Sequence, residues 1–179
     1  MLHVVAHGDR RGGGRRGGGR RVGWGPAVGR SRGGPEAELF ARYAARIRPP
    51  LALTEIPDGK GAPAEIKRRE GEGLLAALPA HSLTIVLDLD GEMLDSPAFA
   101  ARLEGWLSVS RPLCFLIGGA EGLDRTVIAR SDFTLSLGRL TWPHLLARAM
   151  LAEQIYRARS ISAGHPYHRS GRPDQAFRK

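Results

Sequence analysis

A chain of 179 residues, 42% hydrophobic and 25% charged, has room for one domain with a sizeable core and little room for two. No apolar run approaches bilayer length, Leu2-His3-Val4-Val5-Ala6 is too short for a secretory signal, and the single cysteine, Cys114, excludes an internal disulfide or a multi-cysteine zinc site, so the chain reads as cytoplasmic. The net charge of +9 is concentrated at the ends: residues 1–48 carry +8, residues 169–179 carry +3 and the middle carries −2, which suits a polyanionic partner and equally suits solvated tails.

Three regions follow from composition. Residues 1–34 form an Arg/Gly-rich, low-complexity N-terminal segment, residues 35–169 a regular α/β domain, and residues 170–179 a basic tail. Glycine as dense as in Arg11-Gly12-Gly13-Gly14-Arg15-Arg16 costs much backbone entropy and offers little apolar surface in return, so most of residues 9–34 is predicted to be disordered. An RNA-binding arm and an uninformative extension, including text from a shifted reading frame, both account for it.

From Pro35 onward the pattern is periodic. Glu36 to Ile47 predicts a helix with Leu39, Phe40, Tyr43 and Ile47 on one face, stopped by Pro49-Pro50. Leu51 to Ile56 predicts a strand closed by Pro57-Asp58-Gly59, and Pro63 to Ala77 a helix with Ile66, Leu74 and Leu75 inward. Leu83 to Leu89 predicts a strand turned by Asp90-Gly91. Ser96-Pro97 then opens a helix, with serine as cap and Phe99, Leu103, Trp106 and Leu107 buried. Leu113 to Ile117 is the most apolar strand. A short helix over about 123–129, a strand over 133–137 and a long helix from near Pro143 complete the series. Strands alternating with helices predict a largely parallel sheet with helices on both faces, and ligands beyond the carboxyl ends of its strands.

Three segments could carry chemistry. Ile117-Gly118-Gly119-Ala120-Glu121-Gly122 joins a buried strand to a helix. Its glycines allow a ligand close to the backbone, or simply make a tight turn, and their spacing is not the dinucleotide fingerprint. Leu137-Gly138-Arg139-Leu140-Thr141-Trp142-Pro143-His144 offers backbone donors fringed by apolar side chains, able to hold an adenine or merely to start a helix. His165-Pro166-Tyr167-His168-Arg169 groups two imidazoles, a phenol and a guanidinium without the acids or cysteines that zinc requires, so stacking, phosphate contact and proton handling fit better than metal. Asp88 and Asp90 are read as solvated carboxylates beside a turn, and Cys114 as packing.

Together with Arg148 and Glu153-Gln154-Ile155-Tyr156-Arg157-Ala158, in the same order, these segments resemble the RlmH family of SPOUT-class 23S rRNA pseudouridine-N3 methyltransferases. The similarity runs from about Gly34 to Arg169 and includes Ile56-Pro57-Asp58 and Glu65-Ile66-Lys67 with Glu70-Gly71. The resemblance implies a SPOUT α/β fold with a C-terminal trefoil knot, a homodimer acting on the ribosome, and S-adenosyl-L-methionine held by Leu87, Gly118, Leu137, Gly138, Arg139, Leu140, Thr141 and Trp142. The proline expected after the paired glycines is Ala120 here. The family's first strand could come from Leu2 to Gly8 or from Trp24 to Gly29.

A methyl donor brings its own activated methyl, so the protein must position the base and manage the proton on a ring nitrogen lying between two carbonyls. Catalytic roles are expected of His165, Tyr167, His168 and Arg157, and RNA contacts of Arg148 and Arg169. A non-enzymatic RNA-binding protein and a SPOUT enzyme acting on tRNA are the competing readings.

Overall fold

The computed structural model describes residues 2–7 and 34–167. The low-complexity stretch, the alternative first strand near Trp24, His168, Arg169 and the basic tail lie outside the described residues. Ten elements follow in the order β1 (Leu2–His7), α1 (Pro35–Ala44), β2 (Leu51–Ile56), α2 (Pro63–Ala76), β3 (Leu83–Met93), α3 (Ser96–Ser108), β4 (Leu113–Ile117), α4 (Arg125–Arg130), β5 (Phe133–Ser136) and α5 (His144–Ser162).

The strands form one sheet in the order β2-β1-β4-β3-β5, and every pairing is parallel. Leu2–His7 supplies the first strand and occupies an interior position, hydrogen-bonded to β2 on one side and to β4 on the other. Its near-continuous apolar text suits a strand buried on both faces.

Side chains alternate between two cores, as the period of a strand requires. Leu2, Val4, Ala6, Ile85, Phe115 and Ile117 pack with Phe40, Phe99, Leu103, Trp106, Leu151 and Ile155, beneath α1, α3 and α5. Val5, Val86 and Leu116 point the other way, against Leu74 of α2, Val127 of α4 and Leu123 just before it. Trp106 ties the first core together, edge-on to Phe133 at 5.2 Å and to Phe115 at 6.1 Å. Among the described residues, no helix is long and apolar enough to cross a membrane.

Three details differ from the sequence-based expectation. The cap of α3 is Asp95, whose carboxylate accepts from the Ala98 amide at 2.8 Å, and Ser96 is the first helical residue. Leu39, expected inward, is 37% exposed although Phe40 beside it is buried. β3 does not end at Asp90-Gly91. It bulges between Leu87 and Glu92 and continues beside β5, so that Leu87 and Glu92 both pair with Leu135.

Candidate functional site

Register brings distant loops together. Leu87 is level with Ile117 on β4 and with Leu135 on β5, so the β3 bulge and the segments that leave β4 and β5 lie side by side at the carboxyl edge. All eight residues expected to hold the cofactor lie in them: Leu87 at the β3 bulge, Gly118 directly after β4, and 137–142 directly after β5. Gly91, within the bulge, passes against the backbone of Leu135 and Ser136.

Each loop is fixed by a specific contact. A Cβ on Gly118 would meet the carbonyl carbon of Gly122 at 3.0 Å and the Leu123 side chain at 3.1 Å, so the chain closes on itself only because residue 118 has no side chain. The positive φ of that turn falls on Gly122, at 78°, and its amide donates to the Gly119 carbonyl at 3.1 Å. In the next loop, the Ser136 hydroxyl accepts from the Gly138 amide at 3.2 Å and donates to the Gly138 carbonyl at 3.1 Å. Gly138 has φ 120° and nothing within 4 Å of its missing Cβ. Leu140 and Trp142 follow, 70% and 37% exposed. Glycine-lined backbone, open space and uncovered apolar side chains suit a ligand that combines a planar heterocycle with a polar tail. An adenosyl amino acid fits that description.

A second cluster lies on the α1–α5 side. The Glu153 carboxylate is its hub: Oε1 accepts from the Arg157 guanidinium and, at 3.1 Å, from the Tyr167 hydroxyl, while Oε2 accepts from the Gln154 amide at 2.6 Å. Tyr167 also has its hydroxyl 3.3 Å from that of Tyr43, its ring 4.7 Å from Tyr156, and the Arg157 guanidinium 5.1 Å from its centroid. The tail thus folds back along α5. Burial, reinforced by the hydrogen bonds to Tyr43 and Glu153, drives the Tyr167 phenol well above its usual range, so it stays protonated and acts as a donor. Arg157 is also raised, chiefly by its hydrogen bond to Glu153. His165 is exposed, and its Nδ1 accepts from the Tyr167 amide at 3.1 Å, which occupies the lone pair a neutral imidazole would use as a base.

Arg157 and Tyr167 are therefore brought together, with His165 alongside. Glu153 belongs to a segment that carries the family resemblance but receives no role from the sequence, because a glutamate four residues before an arginine on a helix looks like an ordinary surface pair. Glu153 lies nine residues along α5 from His144, about 14 Å at the helical rise, so the hub carboxylate is carried down the helix from the end that the 137–142 loop enters.

Arg148, expected to contact RNA, is only 3% exposed and paired with Glu55 at 2.7 Å. That places its guanidinium in the interior rather than on a phosphate-binding surface. The carboxylate of Asp88 accepts from the Asp90 amide at 3.0 Å and shapes the bulge. Burial pushes the Cys114 thiol up to about 11, which leaves it as packing. Among the described residues, no three His, Cys, Asp or Glu side chains are grouped to hold a metal ion.

The family described as "Predicted SPOUT methyltransferase" matches residues 26–168, a stretch that begins after strand β1. The ribosomal RNA large subunit methyltransferase H of Gluconacetobacter diazotrophicus is 61% identical over 147 residues, spanning 82% of this chain and 97% of that protein. Its counterpart in Acidiphilium cryptum is 62% identical over 147 residues, spanning 82% and 93%. Among solved structures, the SpoU methyltransferase AviRb from Streptomyces viridochromogenes, in complex with the cofactor AdoMet, overlaps with a TM-score of 0.35 at 19% identity, over 61% of this chain and 37% of that one, a likeness too slight to argue from. With the paired-glycine turn, the loop at 137–142 and the folded-back tail all in place, the chain belongs to the SPOUT methyltransferase family and, within it, to the ribosomal RNA large subunit methyltransferase H group.

Proposed function

We propose that this chain transfers a methyl group from S-adenosyl-L-methionine to N3 of a pseudouridine in 23S rRNA, acting in the cytoplasm on the ribosome as a homodimer. The observation that carries this reading is the convergence of Leu87, Gly118 and the 137–142 loop on one sheet edge, in a chain 61% identical to a ribosomal RNA large subunit methyltransferase H. When bound, the cofactor supplies a methyl already activated on a sulfonium sulfur. Gly118 and Gly138 would lie along its polar edges, with Leu140 and Trp142 against its adenine. Closure of such loops over a ligand excludes water, which strengthens every charge interaction inside.

The remaining task is the proton on N3. Losing it places negative charge on the flanking carbonyl oxygens, and Arg157 is suited to stabilise that charge. Tyr167, kept protonated by its surroundings, donates to an oxygen rather than removing a proton. The proton would pass to a group of the same tail cluster: the Glu153 carboxylate accepts from Arg157, Tyr167 and Gln154 as the Nδ1 of His165 accepts from the Tyr167 amide, so either would give up a described hydrogen bond to take it.

Distance within one chain supports the homodimer. Glu153, the hub of the tail cluster, lies about 14 Å along α5 from the helix end that the 137–142 loop enters, and a second copy offers a way to bring one chain's cluster to the other's cofactor loops. Exposure of Leu39 on α1, beside this face, is consistent with a surface that a second copy covers. We also infer the trefoil knot in the carboxyl half, on the family likeness rather than on any single contact.

The deciding experiment incubates the purified protein and S-adenosyl-L-methionine with ribosomes lacking the modification, and maps 23S rRNA by mass spectrometry. A methyl group gained on a pseudouridine is expected. Methylation confined to tRNA, or none with cofactor bound, overturns the assignment. For the homodimer, mixing a Tyr167→Ala chain with a Gly118→Val chain should restore activity that neither has alone.

A further inference from the structure

On the opposite face of the sheet from the tail cluster, α2 leans on the start of α4, directly after the turn that follows β4. The contact exists because Gly71 has no side chain: a Cβ there would lie 2.8 Å from the Asp124 side chain and 3.2 Å from that of Val127. Lys67 is one helical turn earlier on the same face of α2, and its ammonium nitrogen lies 4.0 Å from where a Cβ of Gly122 would be. The helix therefore delivers a half-buried cation to the Gly118–Gly122 turn.

Among the described residues, that cation has no carboxylate of its own. Asp124 is the acid that feels it, but the Asp124 Oδ1 atom accepts from both the amide and the hydroxyl of Thr126, at 2.9 and 2.6 Å. These bonds are the leading cause of the lowered Asp124 pKa, with the charge of Lys67 a lesser one. No ion pair joins Lys67 to any described residue at 4.0 Å or less, unlike Arg68 and Arg69 beside it, which pair with Glu72 and Glu65.

Resting on the cofactor reading above, we infer that Lys67 anchors the carboxylate of the methionine portion of the cofactor at the Gly118–Gly122 turn. The chemistry of the ligand sets this orientation. S-adenosyl-L-methionine has a sulfonium and an ammonium, which Lys67 repels, and one carboxylate, which it attracts. Its adenine suits the 137–142 loop, where Leu140 and Trp142 are uncovered. Lys67 thereby fixes which end of the cofactor enters first and, with it, where the methyl points.

The test is calorimetric binding of S-adenosyl-L-methionine and of its decarboxylated analogue to the full chain and to Lys67→Gln and Lys67→Arg, with thermal midpoints as the control for folding. The unaltered chain should prefer the carboxylated ligand. Lys67→Gln should weaken that ligand by about ten- to a hundredfold, the scale of a charge-assisted hydrogen bond, leave the analogue nearly unchanged, and so abolish the preference. Lys67→Arg should restore much of it. A Lys67→Gln chain that keeps the preference, loses both ligands equally, or loses only rRNA affinity overturns the assignment. Failure of the unaltered chain to bind either ligand overturns the cofactor reading itself.

Discussion

Gly91 passes so close to Leu135 that a Cβ at position 91 would lie 2.6 Å from the Leu135 carbonyl carbon and 2.8 Å from the Ser136 nitrogen. Both obstacles are backbone and cannot rotate aside. Ser136 in turn holds the Gly138 amide and carbonyl, so displacement of one strand end is transmitted to the 137–142 loop. Gly91→Ala should therefore destabilise the fold by about 1–3 kcal/mol, the range for forced overpacking, and weaken S-adenosyl-L-methionine binding as well. Urea titration and calorimetry on the same preparation check both. A variant with unchanged midpoint and affinity would show that the loop does not depend on this pass.

The Tyr167 hydroxyl separates two roles of the tail. Tyr167→Phe keeps the ring on Tyr156 and under Arg157 but removes the bond to Glu153. We expect a stability loss of about 1 kcal/mol, cofactor affinity near normal, and turnover on ribosomes reduced at least about tenfold. Equal activity in the two proteins would remove Tyr167 from the chemistry.

Much of this architecture is legible from periodicity. Strands 51–56 and 113–117 announce themselves by apolar text between turn formers, and the long last helix by its spacing. Gly91 defeats that reading. Asp90-Gly91 looks like a terminator, whereas the glycine is required by a strand 44 residues later in the chain, a demand that local pattern cannot express. Leu2–His7 has strand-like text, but its partners β2 and β4 are distant and residues 8–33 separate it from α1, so sequence alone leaves its place in the sheet open. Among the site residues, the glycines and the folded-back tyrosine belong to recognisable motifs. Glu153 becomes visible only once the tail is seen returning along α5.

Glu55 and Arg148 form a pair whose partners are unequally exposed, 25% and 3%. Nε and Nη2 of Arg148 are buried without a hydrogen-bond partner among the described residues, where Glu55 is the neutralising contact. Glu55→Ala leaves a buried guanidinium uncompensated and should cost up to about 3–5 kcal/mol, less to the extent that solvent enters beside the exposed carboxylate. Arg148→Met, which removes the charge and keeps the volume, should be far milder. Chemical denaturation of the two variants checks the order, and a milder Glu55→Ala would contradict it.

His3 gives the stability a pH dependence of definite sign. It lies on interior strand β1, level with Ala52 and Cys114, and its Nε2 is buried with no hydrogen-bond partner among the described residues. Burial holds its pKa below the ordinary 6.5, because a charged imidazole in that position loses its water. The unfolded chain therefore takes up the proton more readily than the folded one. The contribution of His3 is complete above about pH 6.5 and declines as the pH falls from there through the lowered folded value. Denaturation midpoints between pH 8 and pH 5, about the span in which a histidine changes charge, should fall toward acid in the unaltered chain. They should fall less steeply in His3→Leu, which has nothing to protonate at that position. Parallel curves for the two proteins would mean that the acid sensitivity arises at other groups and that the His3 imidazole meets water in the folded chain.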